Sequence, residues 1–251
     1  MKDWVILLSC FSIACGNNTT KENSKLQLEV GDILLDSAFQ LEVGDILFQD
    51  LDSSPLCDAI ELVTPGYNGA NFSHIGLIVS DNDTLKVLES IPPKVILTKM
   101  DDFLNRSFDQ NGDPKVIVGR LTKDFSYSIA NAVSFSKSQL NKEYDDVFLI
   151  NNDKYYCSEL IYEAFSKDSI FQLQPMTFLH PETKDTLETW KEYYSDLGVE
   201  IPQNKLGINP GIMSLSKKIE INNVDPKVVK KKNVKQKVVK KKNVKKNENE
   251  K

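Results

Sequence analysis

The chain has 251 residues, 40% of them hydrophobic and 27% charged, with 11 Gly and 10 Pro; this ordinary globular composition excludes a collagen-like or wholly disordered protein. Its net charge of −5 joins two opposed parts: residues 226–251 hold 12 Lys and 2 Glu (net +10), leaving 19 basic and 34 acidic side chains (net −15) in residues 1–225. An acidic body argues against a specific nucleic-acid-binding core, and no apolar run reaches membrane-spanning length.

Residues 1–15 read as a signal peptide. The apolar run WVILLSCFSIA at 4–14 follows Lys2 and has the length of a secretory core. It ends Ser12-Ile13-Ala14-Cys15-Gly16, which resembles a bacterial lipobox. That resemblance makes Cys15 the lipid anchor and the cell envelope, on the periplasmic or outer-membrane side, the expected location; a plain cleaved signal predicts a secreted protein instead. Residues 16–40 form a linker, polar from Asn17 to Lys25 and then carrying a duplicated segment. QLEVGDIL stands at 27–34 and again at 40–47, a spacing too short for a solenoid unit, and only the second copy runs on into the rest of the domain. Both copies suit one strand slot.

Residues 41–221 read as one domain of mixed α and β, near the usual domain size. Strands are expected at Glu42–Phe48, Phe72–Ser80, Thr84–Ser90 and Lys115–Leu121, and helices at Pro55–Thr64, Ser126–Glu143 and Cys157–Lys167. Pro55 after Ser53-Ser54 marks a helix start, since proline costs no backbone donor in the first turn. Residues 222–251 form a basic low-complexity tail with KVVKKKNVK at 227–235 and 237–245. It suits an anionic lipid, surface polymer or nucleic acid, or only keeps the chain soluble.

With Cys10 and Cys15 assigned to the leader and anchor, Cys57 and Cys157 are the cysteines of the body. They stand beside two histidines and form no CxxC, HExxH or other zinc-ligand spacing, so no metal site and no cofactor is expected. A Cys57–Cys157 disulfide stays open, as an envelope compartment permits it.

His74 opens HIGLIVS, and TLKVLES follows across Asp81-Asn82, a hairpin pattern. A two-residue loop there puts Ser80 opposite Asp83 and His74 directly opposite Glu89, on one face of the sheet and about 4.5–5.5 Å apart at Cβ. At that separation a carboxylate can hold one imidazole nitrogen and leave the other free. Cys157 begins a helix whose buried face is Cys157, Leu160, Ile161, Ala164 and Phe165. In the first turn, unpaired N–H groups and the positive dipole end favour a thiolate and can form an oxyanion hole. The competing reading is a small buried residue packing on the sheet.

A helix-start cysteine, a strand histidine and a facing carboxylate are the parts of an activated-thiol hydrolase. The order GDILF (44–48), SHIGLIV (73–79), VLES (87–90), YD (144–145) and YYCSEL (155–160) resembles the permuted papain-like amidases of the YaeF/YiiX type, in the NlpC-like group of cell-wall and lipid hydrolases. The resemblance covers residues 41–215. It implies an α+β papain-like fold, circularly permuted so that the histidine precedes the cysteine, with an antiparallel sheet packed against helices. It further implies Cys157 as nucleophile, His74 as base and Glu89 as the orienting residue, with Tyr144, Ser73 and Tyr156 lining the site. His180 has no counterpart and reads as a loop residue. The implied activity is thiol-dependent hydrolysis of a peptide or lipid amide or ester through an acyl-enzyme. The alternatives are an acyl-lipid hydrolase or transferase, a non-catalytic surface lipoprotein binding lipid or peptide, and an adhesin whose working part is the tail.

Overall fold

A computed structural model describes residues 40–222. The leader, Cys15, the first QLEVGDIL copy and the lysine tail lie outside the described residues.

The second QLEVGDIL copy enters the domain through a turn, which makes the first strand shorter than expected. Gly44 has φ +97°, donates its N–H to Ile78 O, and lies where a Cβ would meet Ile129 Cγ2 at 2.5 Å. Strand β1 therefore begins at Ile46 and runs Ile46–Gln49, all four residues buried. Just before it, the buried Asp45 carboxylate is held by Arg120 Nε at 2.7 Å and Nη2 at 2.8 Å. Helix α1 (Pro55–Val63) starts at its proline as expected.

Strands β2 (His74–Asp81) and β3 (Thr84–Ile91) form the hairpin. The turn is Asn82-Asp83, both at positive φ, so Asp81 faces Thr84. The expected loop, Asp81-Asn82, is one residue early on each side. Counting on from the Leu77↔Leu88 pair puts Glu89 across from Gly76, not His74. This displacement of two residues keeps Glu89 on the face of His74; a displacement of one would have sent it to the other face.

Two elements not expected from the sequence follow: β4 (Lys94–Lys99) and the short α2 (Met100–Leu104). After β5 (Val116–Leu121), a 3-10 turn at Lys123–Ser128 leads into α3 (Ile129–Ser138). The expected helix over Ser126–Glu143 is thus cut at both ends. At its C-terminal side the outer edge of β4 claims the chain: Asn141 N–H donates to Val95 O, and Val95 N–H to Lys142 O. Paired edge groups outweigh one more helical turn.

Helix α4 (Cys157–Phe165) is followed by β6 (Gln174–Pro175), α5 (Glu188–Leu197), β7 (Leu206–Gly207), α6 (Pro210–Ser214) and β8 (Ile219–Asn222). The main sheet has the order β4-β3-β2-β1-β5-β8, every pair antiparallel. On one face, Ile75, Leu77, Val79 and Leu88 pack with Leu160, Ile161, Ala164 and Phe165 of α4. Burying each of the larger of these side chains contributes about 1.5–3 kcal/mol. On the other face, Leu47, Ile78 and Val87 pack with Met100, Phe103 and Leu104 of α2. A third cluster, with Phe148, Tyr156, Phe178, Trp190 and Tyr194, gathers the C-terminal segments.

Candidate active site

His74 sits at the first position of β2, 5% exposed. The chain entering it is tied down by Ser73, whose N–H donates to Gln49 O and whose Oγ accepts from Leu51 N–H at 3.0 Å. On its own face of the sheet His74 meets Glu89, which is fully buried, and the Phe103 ring, 5.8 Å away between centroids. His74 Nε2 lies 2.5 Å from Glu89 Oε2. An ionised carboxylate accepts only, so Nε2 carries the proton and Nδ1 is left for another partner.

Cys157, the first residue of α4, 8% exposed and a free thiol, interacts with the same imidazole. Burial works against a charged imidazole, but hydrogen bonding to Cys157 and to Glu89, together with their charges, outweighs it. The His74 pKa is pushed up to about 9. Glu89 moves the other way: burial disfavours its charge, yet Arg106 first and His74 second pull it down to about 2. His74 and Glu89 therefore form a buried ion pair at neutral pH.

Two members of this constellation carry no signal in the sequence. Arg106, just beyond α2, donates from Nη1 to Glu89 Oε2 at 2.7 Å and from Nη2 to Oε1 at 2.6 Å. Thr98 of β4 donates its hydroxyl to Oε1. Neither residue belongs to a periodic pattern or motif that points at Glu89.

His74 and Cys157 open onto a cavity of about 610 Å³, within the range that holds small organic ligands. Ser73, His74, Tyr144, Tyr156 and Cys157 all line it, as does Cys57 of α1. Its walls are otherwise largely apolar, with Leu56, Ile60, Phe148, Met176, Phe178 and Trp190 among them. Burial, and then the charge at Cys157, raises the Tyr144 phenol well above its ordinary pKa, so it stays a neutral donor. The Tyr156 hydroxyl accepts from Ile208 N–H at 3.2 Å, and burial raises its pKa likewise. Cys57 is a second free thiol, with Ser53 Oγ 3.4 Å from its sulfur; the Cys57–Cys157 disulfide left open by the sequence is not formed. His180 is spent on its own loop, its Nδ1 accepting from Glu182 and Thr183 N–H.

A further pair of acids stands at the start of α4. Glu159, 1% exposed, accepts from Tyr156 N–H at 3.4 Å at the helix start. Burial and the nearby Asp145 carboxylate push it up to about 8. Asp145 in turn holds Val147 and Leu149 N–H, fixing the loop that carries Phe148 to the cavity.

The family model of the permuted papain-like amidase enzymes, YaeF/YiiX, matches residues 40–239. Among solved structures, the metalloprotein YiiX of Escherichia coli is similar, with 23% sequence identity and a TM-score of 0.62 over 74% of this chain and 98% of that one. No curated protein matches. The fold is the permuted papain-like one expected from the motif order. "Metalloprotein" describes the Escherichia coli protein; among the described residues here, no three or more His, Cys, Asp or Glu side chains stand together as a metal-binding group.

Proposed function

The chain belongs to the permuted papain-like amidase family of the YaeF/YiiX type, a family of hydrolases, and on that premise we propose that it is a thiol hydrolase using Cys157, His74 and Glu89. The observation that supports this most is one imidazole that is bonded to a buried carboxylate and interacts with a thiol at a helix start, beside a cavity.

In this reading the Cys157 proton already rests on His74, so a thiolate faces the imidazolium while Glu89 holds Nε2–H and steadies its charge. The sulfur attacks the carbonyl carbon of an amide or ester. The first-turn N–H groups of α4, which have no helical acceptor, receive the developing oxyanion. Collapse of the intermediate expels the amine or alcohol, which takes the proton from His74. Water, giving its proton to His74, then attacks the thioester, and collapse releases the carboxylic acid and restores the Cys157 thiolate beside the imidazolium.

The apolar walls favour a substrate whose carbonyl adjoins an acyl chain or other apolar group over a highly polar peptide stem. Amide and ester series of increasing acyl length test this: kcat/KM rising with length supports it, and a flat series removes it. The chemistry is tested by iodoacetate alkylation of Cys157 against pH, in the wild type and in His74→Ala. A bell-shaped profile that is lost in the variant is expected. An inert Cys157 in the wild type would leave a binding protein on a hydrolase fold. The lipobox-like end at Cys15 supports an anchored envelope protein, which fatty-acid labelling of wild type and Cys15→Ala checks. The tail is assigned to an anionic surface polymer; truncation at Asp225 should abolish a salt-sensitive binding to it.

A further inference from the structure

We propose that Arg106 is the positioning residue of this site, gripping both oxygens of Glu89 so that the carboxylate stays aimed at His74, and placing a permanent positive charge behind the pair. This rests on the thiol-hydrolase reading above and adds to it a residue that acts through Glu89.

The geometry has two parts. Glu89 accepts four hydrogen bonds: Oε2 from His74 and Arg106 Nη1, Oε1 from Thr98 and Arg106 Nη2. A two-point guanidinium clamp on a fully buried carboxylate removes its freedom to turn about its last bond, so Oε2 cannot leave Nε2. The second part is charge. Nη1 and His74 Nε2 share the same oxygen, so the two nitrogens lie at most about 5.2 Å apart, the sum of those two bonds. Like charges at that range disfavour each other. Arg106 thus weakens the hold of Glu89 on the imidazolium and keeps the His74 proton transferable. The guanidinium itself stands over the Phe103 ring at 5.1 Å, which fixes it from behind. The groups facing His74 and Glu89 are Cys157 from α4, Thr98 from β4, and Arg106, with the Phe103 ring from α2; the Tyr144 phenol stands near Cys157.

Charge and grip separate in two variants. Arg106→Gln removes the charge; Arg106→Lys keeps it but loses the two-point clamp. The chain has two histidines, so His74 is readily followed by imidazole NMR against His180 in the full-length protein. In R106Q the His74 titration should move up by about one pH unit. In R106K it should stay within about 0.3 of the wild type, while the plateau rate of Cys157 alkylation falls several-fold. A merely structural arginine would lower stability in both without moving the titration. An unmoved His74 in R106Q, or a shift in R106K as large as in R106Q, overturns the proposal. Should R106Q not fold, an unchanged alkylation plateau in R106K overturns it alone. An inert Cys157 in the wild type sinks the thiol-hydrolase reading and this one with it; a reactive Cys157 with an unmoved His74 in R106Q sinks only this one.

Discussion

Replacing Glu89 by glutamine keeps the side chain's shape and removes its charge. The carboxylate is fully buried and surrounded by donors: His74 Nε2, Thr98 Oγ1 and both Arg106 nitrogens. A glutamine amide offers one oxygen and one NH2, so a donor must face Arg106 together with either His74 or Thr98. Removing one partner of a buried ion pair in this way costs about 3–5 kcal/mol. For a domain of this size that lowers Tm by about 6–20 °C. A second readout follows His74 itself. The rise from 6.5 to about 9 amounts to about 3 kcal/mol of preference for the charged ring, shared between Cys157 and Glu89. Without the carboxylate the His74 titration should fall by about one pH unit or more, opposite in sign to R106Q. Denaturant unfolding gives the first quantity and imidazole NMR the second. A Glu89→Gln protein within about 1 kcal/mol of the wild type, or one whose His74 still titrates near 9, refutes the reasoning.

The wild-type pH dependence has a definite sign. His74, raised from 6.5 to about 9, stabilises fully below 6.5 and loses that contribution as pH rises through 9; Glu89, lowered from 4.5 to about 2, stabilises above 4.5 and fails as pH falls through 2. Their joint stabilisation is therefore greatest between about 4.5 and 6.5, checked by unfolding across pH. Glu159, raised from 4.5 to about 8, favours folding while protonated, and that advantage fades as pH climbs through 8. Glu159→Gln should match the wild type near pH 5 and exceed it at pH 9, by on the order of 5 kcal/mol; equal unfolding midpoints at pH 9 count against it. Gly44→Ala should cost more than about 2 kcal/mol, since φ +97° is strained for alanine and its methyl strikes Ile129; a Tm loss under about 2 °C rejects that account. Deleting residues 27–39 leaves one QLEVGDIL and keeps the contacts of Gly44, Asp45 and β1 with the other described residues in place. Tm should then change by less than about 2 °C, and a larger fall would mean the first copy supports the fold.

Much of this protein is legible in short-range patterns. The five apolar positions of α4 repeat at helical spacing, all five are buried, and this puts Cys157 at the helix start. Strand alternation placed His74 and Glu89 on one face, and that survived a hairpin turn read one residue early, because a displacement of two preserves the face. The SH and YCSEL motifs in their order carried the family and the fold.

What the sequence did not disclose depends on distant chain. Helix α5 is polar over most of its length and buries only Trp190 and Tyr194, so its apolar stripe is too thin to read. The C-terminal end of α3 looked helical until the edge of β4 took it. Arg106 follows Glu89 by 17 residues, across β4 and α2, and no local period relates them. By itself the sequence determined which faces are buried and which residue types are available for chemistry, since alternation and helical repeat are properties of neighbouring residues. Which buried groups meet, above all that Glu89 is gripped by Arg106 and Thr98 while it holds His74, was decided only by the tertiary path that brings separate strands and loops to one end of the sheet.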